Sequence, residues 1–147
     1  MVDVGQMAPD FTLTDQHAQQ VTLSAHASPT LVVFIPAAFT PVCGGELQAL
    51  RPIAERARVL AVSCDSMFTL RALADAEGIE FTLLSDFWPH GEVARAYDAF
   101  DDVSGMARRV SLLIDGGGRV TERWQSPPGQ ARDADDYLRA LHRPASG

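Results

Sequence analysis

The sequence predicts an α/β fold, a mixed central sheet with helices on both faces and an N-terminal β-hairpin. Three observations carry that expectation. "PTLVVFIP" (29–36) and "RVLAVSC" (58–64) are continuous apolar runs without polar alternation, as in strands covered on both faces. Each is followed by a segment whose apolar residues recur at helical spacing, which gives a βαβα alternation. Near the end, two strand-like segments are joined by "GGG", the mark of an antiparallel hairpin.

In chain order, "DFTLTDQHAQQVTLSA" alternates at Phe11 and Leu13 and again at Val21 and Leu23, so it reads as a two-strand hairpin at a sheet edge. The run between Pro29 and Pro36 is the central strand. In "AAFTPVCGGELQALRPIAERA", Leu47, Leu50, Ile53 and Ala54 mark a helix that Pro52 breaks in two. "SMFTLRALADAEGI" carries Met67, Leu70, Leu73 and Ala74 at helical spacing and ends near Gly78. "FTLLSD" is the third buried strand, "GEVARAYDAF" a short helix, and "RRVSLLID" and "RVTERWQS" the closing hairpin. "DADDYLRALHR" sets Tyr137, Leu138 and Leu141 on one side and acidic residues in its first turn, so it reads as a last helix.

The 147 residues, 46% of them apolar, suffice for one domain spanning 1–147, and no linker or repeat divides them. A net charge of -7 without a dense Lys/Arg cluster argues against nucleic acid as a partner. The longest nearly apolar run, Leu31 to Phe39, is too short to span a membrane, and the first residues lack a basic segment followed by an apolar one. A cytoplasmic protein with no membrane partner is expected. Two cysteines make no disulfide framework, so each is judged alone.

Ligand sites in such sheets lie beyond the carboxyl ends of the parallel strands, where both Cys43 and Cys64 fall. Cys43 directly follows the central strand and opens a helix, in "TPVCGGEL". Thr40 suits the cap, Pro41 the first helical position, and the two glycines bare the backbone N–H groups that favour a thiolate. By position alone, an inert packed cysteine and a reactive one remain equally open.

The pattern Pro36-x-x-x-Thr40-x-x-Cys43, with Glu46 three residues on, resembles the peroxidatic motif of the peroxiredoxins. "GQMAPDFTL", "LVVFIPAAFTPVC", "FTLLSD" and "RRVSLLID" extend the resemblance along nearly the whole chain. "LLSDFWPHGEVARAYDAFDD" resembles the one-cysteine alkyl hydroperoxide reductase E subfamily. The resemblance implies a thioredoxin-like fold and a thiol peroxidase that reduces hydrogen peroxide, organic hydroperoxides or peroxynitrite, with no metal, haem, flavin or other cofactor. It implies a homodimer whose interface uses loops beside the active site, with Trp88 open to either core or interface.

Roles are implied residue by residue. Cys43 attacks the peroxide; Thr40 aligns it; Pro36 shields the sulfur. Arg109, six residues before Asp115, lowers the thiol pKa and holds the peroxide oxygens, and Glu46 orients Arg109. Arg108 competes with Arg109, because neighbours in a strand point to opposite faces. Cys64 is the candidate resolving cysteine, against a reading in which it only packs; without it an external thiol or a glutaredoxin- or thioredoxin-like partner must reduce the enzyme. Two other functions stay open at this point. One is a redox-sensing or binding protein whose Cys43 oxidises without turnover, and the other a Cys–His acyl transferase using His90.

Overall fold

The computed structural model describes residues 2–25, 29–37, 41–127 and 132–142, with backbone alone at 41–44 and 142. Its main sheet has seven strands in the order β2-β1-β5-β4-β3-β8-β9. The first two are β1 (Thr12–Asp15) and β2 (Gln20–Thr22), the antiparallel hairpin at one edge. Next come β3 (Thr30–Phe34), β4 (Arg58–Ser63) and β5 (Thr82–Ser85), which are parallel. β8 (Arg109–Ile114) and β9 (Val120–Ser126) form the closing antiparallel hairpin, with β8 against β3.

All five residues of β3 are buried, which is why its sequence shows no polar alternation. Its alternate side chains feed two cores. Leu31, Val33 and Ile35 pack with Leu47, Ile53, Leu70 and Tyr137, which come from α1 (Pro41–Ala49), α2 (Arg51–Ala54), α3 (Met67–Glu77) and α5 (Ala134–His142), and with Leu50, which joins α1 to α2. Val32 and Phe34 face the other way, onto Phe11, Val62, Cys64 and the α4 (Glu92–Ala96) segment through Val93, Ala94 and Tyr97. Helices therefore cover both faces, as the periodicities predict.

The first helix is in two parts. Pro52 stands in the first turn of α2, where its missing N–H leaves no helical bond unmade. α3 starts on Ser66, whose hydroxyl accepts the Thr69 N–H at 3.2 Å, and stops at Gly78 in the left-handed region (φ 65°).

One segment differs from expectation. "RRVSLLID" is one strand as expected, β8 from Arg109 to Ile114, but the segment before it holds a small ribbon of β6 (Phe100–Asp101) and β7 (Met106–Ala107) that the sequence reading lacks. Strands of two residues carry no periodic signal. Arg108 lies between ribbon and sheet, its N–H bonded to the Ala99 carbonyl at 2.7 Å.

Because β8 runs antiparallel to β3, with Ser111 opposite Val33, its first residue lies beside the carboxyl end of β3. That end leads into α1. The topology thus brings Arg109, Pro36 and the α1 N-terminus to one place.

Candidate active site

Three segments distant in sequence converge there on one carboxylate. Glu46, in the second turn of α1, is buried and accepts an ion-paired hydrogen bond on Oε1 from Arg109 Nη1. Its other oxygen, Oε2, accepts Arg132 Nε at 2.8 Å and the Arg132 backbone N–H at 2.9 Å. Arg132 Nη1 donates further to the Phe34 carbonyl (2.7 Å), the Val110 carbonyl (3.1 Å) and Ser111 Oγ (3.1 Å). Ser111 Oγ in turn shares a hydrogen bond of 2.7 Å with the Tyr137 hydroxyl, whose pKa burial pushes up.

The three charged side chains are each 4–5% exposed. Two guanidinium groups against one carboxylate leave a formal charge of +1 in a place where water screens little. Glu46 follows Cys43 by one turn of the same helix, so this charge sits at the helix end that carries Cys43. The unpaired N–H groups of that end add to it. A thiolate in the first turn of α1 would be favoured by both.

The other predicted residues divide as follows. Pro36 is half-buried and, with Arg108 and Arg109, lines an open cleft of about 600 Å³. Thr40 lies outside the described residues, and so does the side chain of Cys43; its backbone is helical. Arg109 is buried and Arg108 exposed, in line with their alternation.

Cys64 follows β4 and is 7% exposed, in the core on the Phe34 face, whereas the apolar residues of α1 pack on the Ile35 face. Burial pushes its thiol up to about 11, with the nearby Asp86 and Asp65 carboxylates adding to the shift. At neutral pH it is a thiol, not a thiolate. His90 Nε2 donates to the Gly105 carbonyl at 2.7 Å and its ring meets Phe100 edge-on, so it links two loops. Among the described residues, no group of three or more His, Cys, Asp or Glu side chains could hold a metal ion.

Sequence reasoning missed Arg132. It precedes the acidic first turn of α5, 86 residues from its carboxylate partner, and no motif spacing links the two. An arginine just before a helix that packs on the central strand was the one available signal.

Comparison with known proteins gives the family. The model of the AhpC/TSA family matches residues 4–123, a span that holds the cysteine motif and Arg109. Alkyl hydroperoxide reductase E of Mycobacterium tuberculosis is 43% identical over 148 residues, covering 96% of this chain and 97% of that protein. Peroxiredoxin Bcp of Escherichia coli is 33% identical over 128 residues, 79% of this chain and 81% of that one. The crystal structure of Enterococcus faecalis AhpC superposes with a TM-score of 0.87 at 28% identity, covering 96% of this chain and 91% of that one. The sheet and helices described above are thus the thioredoxin-like fold of the peroxiredoxins. With a family model over most of its length and a relative 43% identical from end to end, the chain belongs to the AhpC/TSA family and is one of its peroxiredoxins.

Proposed function

We propose that this peroxiredoxin reduces hydrogen peroxide, organic hydroperoxides or peroxynitrite by a one-cysteine mechanism centred on Cys43. The observation that carries the reading is the buried Arg109–Glu46–Arg132 network at the helix end where Cys43 stands. The Cys43 thiolate attacks the terminal peroxide oxygen in line: an S–O bond forms as the O–O bond breaks, and the electron pair leaves on the distal oxygen. That oxygen takes a proton and departs as water or alcohol, or leaves within nitrite when the substrate is peroxynitrite, while sulfur is oxidised by two electrons to the sulfenic acid. Arg109 stabilises charge on the peroxide oxygens in the transition state. Thr40 holds the peroxide in line through its hydroxyl, Pro36 excludes water, and Glu46 with Arg132 fixes Arg109.

We further read Cys64 as a packing residue. Its burial, raised thiol and position on the face opposite α1 all favour that over a resolving role. An external thiol, small or carried by a glutaredoxin- or thioredoxin-like protein, then attacks the sulfenic sulfur, water leaves, and a second thiol restores Cys43. The reading treats 1–147 as one domain, cytoplasmic, acting as a homodimer through the loop face around Trp88. Such a thiol cycle suits a reducing compartment. No helix among the described residues is long and apolar enough to cross a membrane.

Stopped-flow oxidation by peroxide, followed by intact mass, tests this. Wild type and Cys64→Ser should react alike and gain one oxygen, and Cys43→Ser should not react. Arg109→Ala should slow oxidation by about a hundredfold or more, as loss of a charge-stabilising donor does. Loss of two hydrogens from the treated wild type, but not from Cys64→Ser, would establish Cys64 as resolving. A stoichiometric burst with no turnover on any thiol reductant would favour the redox sensor.

A further inference from the structure

Arg132 reaches the charged network from the segment just before α5, and a polar contact as well as packing joins that helix to the sheet. Tyr137 of α5 sets its ring edge-on to Trp124 of β9, with centroids 5.0 Å apart, and its hydroxyl shares a 2.7 Å hydrogen bond with Ser111 Oγ of β8. Both residues are buried, Tyr137 at 3% and Ser111 at 0% exposed. Ser111 Oγ is also 3.1 Å from Arg132 Nη1. A guanidinium only donates, so Ser111 must accept there, and its bond to Tyr137 fixes the rotation that keeps a lone pair turned to Arg132. Burial raises the Tyr137 pKa and so keeps the hydroxyl neutral; Arg132 opposes the rise, and Asp136 and Asp133 add to it.

Arg132 in turn has two duties. It holds Glu46 through Nε, and through Nη1 it holds the carbonyl of Phe34, the last residue of β3. A crevice of about 10 Å³, room for about one water, is bordered by Glu46, Arg132 and Tyr137, so the Tyr137 ring is part of the wall that limits water beside these charges. We propose that Tyr137 is a positioning residue for the peroxidase site: through the Ser111 hydroxyl it holds Arg132 against Glu46, so the docking of α5 sets the positive charge at the α1 end that carries Cys43. The inference deepens the function proposed above and rests on it. Hydrogen bonds run in series from Tyr137 to Ser111, Arg132, Glu46 and Arg109. Loosening the first link lets Arg132 draw back from Glu46, whose negative charge is then less fully offset, and a thiolate nearby becomes less favourable.

The test reads Cys43 in a Cys64→Ser background, where it is the one thiol in the chain. Its pKa comes from the pH dependence of alkylation by iodoacetamide, and its second-order rate constant with hydrogen peroxide from stopped flow. Tyr137→Phe keeps the ring and removes only the hydroxyl. It should raise the thiol pKa and slow oxidation at neutral pH about three- to tenfold, the worth of one hydrogen bond. Ser111→Ala should do the same, and Arg132→Gln should do more. With Arg132→Gln already present, adding Tyr137→Phe should move neither reading further, as groups acting in series require. Leu141→Ala trims a side chain of α5 that packs on the same core but takes no part in the series; it should lower the urea midpoint and leave thiol pKa and rate constant at the values of the background protein. The inference is overturned if Tyr137→Phe behaves as Leu141→Ala does, or if its effect is the same size with and without Arg132→Gln. If no peroxide oxidises Cys43 in the background protein, the proposed function fails and takes the inference with it; normal oxidation that Tyr137→Phe and Ser111→Ala leave unchanged defeats the inference alone.

Discussion

Glu46 holds the site together electrostatically. It is one carboxylate between two buried guanidinium groups, so its removal changes the sum over these three groups from +1 to +2 at side chains only 4–5% exposed, where screening is weak. Glu46→Gln keeps the shape and should cost about 3–5 kcal/mol in urea unfolding, the range for a buried ion pair deprived of one partner. Arg132→Gln, which leaves a matched pair behind, should cost less, and a larger loss for it than for Glu46→Gln would refute the charge account. Of these three residues the sequence made two legible. Glu46 was visible through its place three residues after the cysteine in the motif that the chain shares with the family, and Arg109 was preferred over Arg108 by its place six residues before Asp115, alternation saying only that one of the two must face away. Arg132 was invisible because its contacts depend on where α5 docks, which is a long-range consequence of packing.

The break between α1 and α2 orients the elements around the site. Gln48 Nε2 donates to the Glu77 carbonyl at 2.8 Å, and Arg51 Nη2 to the Glu77 and Gly78 carbonyls at 2.7 and 2.6 Å. The broken helix thereby satisfies carbonyls at the end of α3, which the helix itself leaves open. Gly78 lies at that junction with φ at 65°, and a Cβ there would come within 3.0 Å of Arg51 Nη2. Gly78→Ala should therefore destabilise by about 1–2 kcal/mol, from the left-handed backbone alone, with more if Arg51 must move. Urea denaturation measures it, and an unchanged midpoint would remove Gly78 from the account. Pro52, Gly78 and the unbroken run of β3 were all readable, since each acts through local geometry or through burial on both faces. The β6–β7 ribbon was not, because four residues in two strands are set by the loops they join.

At the scale of the whole molecule, four of the seven exposed large apolar side chains among the described residues lie in two segments, 87–88 and 103–106, the others being Val4, Met7 and Phe68. Trp88 is 82% exposed and Val103 97%, with Phe87 and Met106 also open, and the His90–Gly105 hydrogen bond ties the two loops that carry them. Large apolar side chains exposed on two segments tied together in this way suit the subunit contact proposed above more than solvent. The sequence left Trp88 between core and interface because an aromatic residue in a loop fits either, and the choice depends on which face the loop covers. Two chains of net charge -7 repel, so an interface of this kind must be held by apolar burial against that repulsion. Two consequences separate this from a dimer held by ion pairs. Added salt should strengthen association, through screening of like charges. Trp88→Glu should weaken it more than Trp88→Arg, since both remove the same apolar anchor but only the first adds to the repulsion. A two-fold interface contains the residue twice, and at about 2 kcal/mol or more per buried tryptophan anchor the dissociation constant should rise at least about a thousandfold. Sedimentation equilibrium at two salt concentrations reads both effects, and a Trp88→Glu protein that stays as associated as wild type would place the contact on another face.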